Sequence, residues 1–160
     1  MAVRSETVTI AKGSRGTRRL ATVTGAVLAA EALWVLIELV FGFDLRTPAI
    51  DADRGPSDVG FMAVAVAGGA AALAGWGLLA LLERITRRAR RWWPAIAAAV
   101  LIVSLGGPLS GTGITAANRA GLVLLHVTVA AVLIPGLYRT SPRLPGDVGA
   151  ALRTEHSSAT

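Results

Sequence analysis

Four ionisable residues lie within or beside long apolar runs, and their types are those that carry protons or form ion pairs. Glu31 and Glu38 fall in "VLAAEALWVLIELVFGF", residues 27–43, and Arg119 and His126 fall at the edge of and within the last apolar run. A charge at bilayer depth costs about 2.5–3.5 kcal/mol on insertion scales, so it normally faces other protein and marks something functional. Residues seven apart on an α-helix are about 20° from eclipsed, so Glu31 and Glu38 share one face, about 10.5 Å apart along the axis. Thr24 extends that stripe, and Arg119 and His126 are seven apart in their turn. If the two helices pack antiparallel, one register sets Arg119 opposite Glu38 and His126 opposite Glu31. A second register sets His126 opposite Glu38 and leaves Glu31 alone. The cluster of Glu31, Glu38, Arg119 and His126 therefore has two readings. As pairs, these residues would select one packing register, each pair contributing about 0.6 kcal/mol. As a relay, Glu31 and His126 would exchange protons or cations, since carboxylate and imidazole are the usual intramembrane carriers.

The elements that must position these residues are membrane spans. With 160 residues, 53% of them hydrophobic and 16% charged, and a mean hydropathy of +0.59, the chain is too apolar for a soluble domain of this length. About 20 apolar residues cross roughly 30 Å of hydrocarbon as a helix, and four such runs are predicted at about 20–43, 59–82, 92–109 and 120–138. The fold class is all-α, a four-transmembrane-helix bundle. Residues 1–19 and 139–160 are polar and are expected to be disordered tails. A basic stretch before an apolar run also suits a signal peptide, but this run is long and three more follow it. The 44–58 segment, with prolines, a glycine and four aspartates, reads as a loop. "WWP" at 92–94 starts the third span with tryptophans at headgroup level and a proline suited to a first helical turn, and "GGP" ends it. The second span has small residues four apart, Ala65 with Gly69 and Ala71 with Gly75, which would let helix backbones approach closely or would merely reflect alanine-rich composition.

Charge sets the expected orientation. The first tail, the 83–91 connector and the last tail hold thirteen Lys and Arg residues, against three (Arg46, Arg54 and Arg119) on the opposite side. By the positive-inside rule both termini and the connector are cytoplasmic, in the cytoplasmic membrane. This accounts for the net charge of +6 without nucleic acid, because the basic residues flank apolar runs and are not interleaved with aromatics. The connector could also recruit anionic lipid, at about 1 kcal/mol per basic residue. Without cysteine there are no disulfides or thiolate ligands, and two histidines, one of them in the tail, cannot make a bis-histidine haem site. "DADRG", 51–55, begins like a calcium loop but lacks its third acidic residue and closing glutamate. Ser104 and Ser110 have no adjacent base. Neither cofactor, metal nor enzymatic activity is expected; the expected partners are membrane lipids, a second copy or another membrane protein.

Basic cytoplasmic ends, an acidic first outer loop and a last span reading "GLVLLHVTVAAVLIPGLYR" resemble, over roughly residues 20–140, the small four-span bacterial membrane proteins grouped as a domain of unknown function. The resemblance implies a topology and carries no activity or site residue with it. "GAVLAAEALW" is similar to the first span of small multidrug-resistance transporters, which implies a membrane glutamate exchanging protons for a cationic substrate. The longer chain and one-sided charge depart from that pattern. The expected function is a non-enzymatic interaction or accessory component; the alternative is a proton-linked carrier of a small or cationic substrate using Glu31 and His126.

Overall fold

The computed structural model describes residues 14–49, 55–110 and 112–141. Helix α1, Arg15–Val35, starts at Ser14, whose hydroxyl accepts the Thr17 N–H at 3.3 Å and so satisfies one of the orphan donors of the first turn. Residues 15–19 are thus helical rather than part of a tail; residues 1–13 and 142–160 lie outside the described residues. A π-helical turn, Leu36–Val40, continues α1 and ends at Phe41, after which Gly42 takes φ +67°, a conformation glycine adopts without a Cβ penalty.

Two short strands, β1 at Arg46–Thr47 and β2 at Ser57–Asp58, pair antiparallel and lead into α2, Phe61–Ile85. Helix α3, Ala89–Ser104, begins before the tryptophans, so Pro94 sits inside it and not in its first turn. The carbonyl of Arg90 loses its usual i+4 donor there. A single turn, α4 at Gly106–Ser110, prolongs α3, and α5 runs Ala116–Thr140 behind a Thr115 cap, with Pro135 inside it. Four helices, 15–40, 61–85, 89–110 and 116–140, are long and apolar enough to cross a membrane. At 25 residues α2 and α5 each extend about 37 Å, enough for the hydrocarbon with a turn to spare.

Exposure is inverted relative to a soluble bundle: Leu39, Met62, Ile85, Ile102 and Val103 are all at least 70% exposed. Lipid would cover these side chains, so helix association must rest on close packing and polar contacts. Helix α1 packs extensively on both α5 and α2, and α3 packs on α5. Two apolar clusters form the core. One joins Val23, Ala26, Ala72, Leu79, Trp93, Leu133 and Leu137 toward the arginine-rich end. The other joins Ala30, Leu45, Val59, Val64, Leu122 and Leu125 toward the loop end. Glycines bring α1 and α5 together. Gly136 lies against Thr22, Gly25 against Val132, and Gly121 against Ile37 and the buried Leu45, whose Cδ2 stands 2.6 Å from where a Cβ on Gly121 would be.

Candidate functional site

These glycine contacts set an antiparallel register between α1 and α5 that puts Glu31 at the height of His126 and Glu38 at the height of Arg119. The pairs nonetheless do not form, because height is not direction. His126 is five residues from Gly121 and six from Val132, about 120–140° around the helix from the stripe facing α1. Its Nδ1 bonds the Leu122 carbonyl at 2.7 Å. Arg119 turns toward α4 and donates to the carbonyls of Pro108, at 3.1 Å, and Leu109, at 2.6 Å. Glu38, carried by the π-helical turn, accepts the Leu45 N–H at 3.0 Å and fastens the loop that returns over the bundle. The expected Glu38–Arg119 and Glu31–His126 contacts are therefore replaced by one backbone bond on the glutamate of the first pair and by carbonyl bonds on Arg119 and His126.

Glu31 is different. It is only 7% exposed, and neither carboxyl oxygen has a hydrogen-bond partner among the described residues. Val27 meeting Gly69, and Trp34 meeting Phe61 and the Val59 carbonyl, place Glu31 on the α1–α2 seam at about the level of Val64 and Ala65. A buried polar group left without a partner is uncommon in folded proteins and calls for an explanation.

A polar cluster that spacing did not reveal holds the arginine-rich end. Arg19, 8% exposed, donates from Nη2 to Glu83 Oε1 at 2.6 Å and from Nε to the Thr140 hydroxyl at 3.1 Å. One side chain of α1 thereby ties the last turns of both α2 and α5. Beside it the Arg90 guanidinium lies over the Tyr138 ring, 4.5 Å from its centroid, a cation–π contact joining α3 to α5. The available signal was parity: the start of α1 and the end of α2 must share a membrane face, and Glu83 is the lone acid in a connector of five arginines.

A cleft of about 590 Å³ lies between α2 and α3, with α5 as its back wall. Its α2 wall is a row of small side chains, Ala63, Ala67, Ala71 and Ala74, at spacings of four, four and three. Of the small residues four apart, Gly69 meets Val27 of α1, beside the buried Ala72 and Leu79, whereas Ala71 borders the cleft and Gly75 lies against Trp93 of α3 and Leu133 of α5. Ala97, Val100 and Leu101 supply the α3 wall, with Val100 53% exposed, so the cleft opens toward the surrounding hydrocarbon. Thr47, Ser57 and Asp58 stand at its loop end, and Trp93 closes the other. Most polar groups lining it are committed: Trp93 Nε1 to the Ile134 carbonyl at 3.1 Å, Ser104 Oγ to the Leu101 carbonyl at 2.7 Å, and Thr47 to Ser57 at 2.8 Å. Halfway along the back wall stands His126. No group of three or more His, Cys, Asp or Glu side chains able to hold a metal occurs among the described residues.

Four lipid-compatible helices around a lateral apolar cleft define a multi-pass membrane protein. The chain belongs to the family of unknown function DUF6069, whose model matches residues 10–143. No curated protein and no solved structure matches the chain.

Proposed function

We propose that this protein is a non-enzymatic accessory component of the cytoplasmic membrane that holds a single lipophilic molecule in the cleft between α2 and α3. The observation that carries the reading is the cleft itself. Its volume of about 590 Å³ falls within the roughly 300–1,000 Å³ typical of small-molecule sites and is too small for a partner helix. The alanine row of α2 offers a smooth wall, and bonds inside the fold already occupy most of the lining polar groups, with one imidazole midway along the back wall.

An alkyl diazirine incorporated into bilayers with the intact protein tests this. Photolabel should concentrate on Ala71, Val100 and Ala130, above the level on the outward-facing Leu28 and Leu39, and should fall when Ala71→Phe fills the cleft. Uniform labelling that Ala71→Phe leaves unchanged would sink the proposal.

A second reading, the proton-linked carrier, draws support from the enclosed and unpartnered Glu31 carboxyl. In that reading Glu31 works at the α1–α2 seam and not in concert with His126, which stands in the cleft. A pH-gradient-driven flux in proteoliposomes that Glu31→Gln abolishes would favour it.

A further inference from the structure

We infer that the occupant of the cleft carries a hydroxyl group that donates a hydrogen bond to His126 Nε2. This rests on the cleft being a ligand site and adds the chemical class of the ligand. The geometry of one ring leads to it. A backbone carbonyl can only accept, so the 2.7 Å contact between His126 Nδ1 and the Leu122 oxygen means that Nδ1 carries the hydrogen. In the neutral imidazole that assignment makes Nε2 an acceptor with a free lone pair. His126 belongs to the cleft lining, with Leu125, Val129 and Ala130 as its neighbours on the back wall.

Depth sharpens the requirement. His126 is ten residues into α5, about 15 Å below the loop-end start of the helix and close to the middle of a bilayer. At that depth water does not compete freely for hydrogen bonds, and an unpaired hydroxyl or imidazole nitrogen carries its full desolvation penalty. A lipophile with a hydroxyl at this position satisfies both groups at once. A lipophile that can only accept, such as an ether, ester or quinone carbonyl, leaves two acceptors facing each other. The class is therefore a long-chain or ring-bearing lipophilic hydroxyl donor, either an aliphatic alcohol or a prenylated hydroquinone.

The test measures displacement of the photolabel from the cleft of the intact protein in nanodiscs. Four competitors are used: hexadecanol, its methyl ether, a prenylated hydroquinone and the corresponding quinone. At least one hydroxyl compound should compete about tenfold better than its matched acceptor-only compound, the worth of one buried hydrogen bond. Which of the two does so identifies the source. The same compound should move the ¹⁵N resonance of His126 Nε2, and the matched ether or quinone should not. His126→Leu should erase the preference, and His126→Gln, whose amide oxygen also accepts, should keep part of it. Equal competition within both pairs in the wild-type protein would overturn the hydroxyl inference while leaving the cleft occupied, whatever the His126 variants do. Absence of cleft labelling by any chain would overturn the cleft reading and this inference with it.

Discussion

At the scale of single residues, the two glutamates of α1 have opposite fates. Glu38 has found a donor in the Leu45 N–H, and its carboxylate holds the loop; Glu31 is enclosed with no donor among the described residues. Burying a polar group without a partner typically costs about 1–3 kcal/mol, so Glu31→Leu should raise stability by that order in denaturant titration of the reconstituted protein. Glu31→Gln still buries an unpartnered amide and should change stability far less. A loss on Glu31→Leu would mean that the carboxyl has a partner in the membrane. Should the carrier reading hold, the same leucine would stabilise the fold while abolishing flux, a trade between stability and activity that functional sites often show. Arg19 presents the reverse case, a buried charge with two partners. Removing either Arg19 or Glu83 strands the other, so the double-mutant cycle of Arg19→Ala with Glu83→Ala should show coupling of roughly 0.5–3 kcal/mol. Additive effects would remove the pair from the forces that close this end.

At the scale of elements, the α1–α5 contact is the seam on which the others are built. Gly121 and Gly136 let Leu45 and Thr22 approach the α5 backbone, closeness that membrane helices use in place of a hydrophobic driving force. A methyl group at Gly136 would fall on the Thr22 side chain, so Gly136→Ala should destabilise by about 1–3 kcal/mol, the range for overpacking. Thr22→Ala removes the obstructing Cγ2 and Oγ1 and should return part of that loss in the double variant. If Gly136→Ala is as stable as the parent, α1 and α5 are not in this register. Helix α2 uses its small residues differently, with Gly69 and Ala72 on the side that meets α1 and Ala63, Ala67, Ala71 and Ala74 along the cleft.

For the whole molecule, an even number of spans brings both ends of the bundle's chain to one face, as the Arg19–Thr140 bond between the start of α1 and the last turn of α5 demonstrates. Which side of the membrane that face occupies is a matter of charge, and from thirteen basic residues against three we propose, by the positive-inside rule, that it is the cytoplasmic side. A reporter fused after Arg88 should then read as cytoplasmic and one inserted after Gly55 as external. The opposite pattern would invert the proposed orientation and carry the loop end of the cleft to the cytoplasmic leaflet.

Hydropathy alone located the four spans, because a chain in hydrocarbon must satisfy its backbone internally, and a run of about 20 apolar residues does so as a helix. Heptad spacing alone gave the two pairs one common offset, since rise per residue is a local property, but it left two registers open; the glycine contacts between α1 and α5 chose the one that sets Glu31 level with His126 and Glu38 level with Arg119. What each of those side chains faces was decided elsewhere. Rotation of α5 about its axis follows from Gly121 and Gly136 meeting residues about 80 to 110 positions away in the chain, a close approach that no local pattern encodes. That rotation sends His126 into the cleft and Arg119 to the carbonyls at the end of α3–α4. The π-helical turn re-aims Glu38, and Arg19 and Glu83 meet only once α1 and α2 are antiparallel neighbours. The cleft is likewise a product of tertiary arrangement: an alanine row on α2 can meet a backbone or border a space, and here the packing of α1, α3 and α5 leaves it bordering a space.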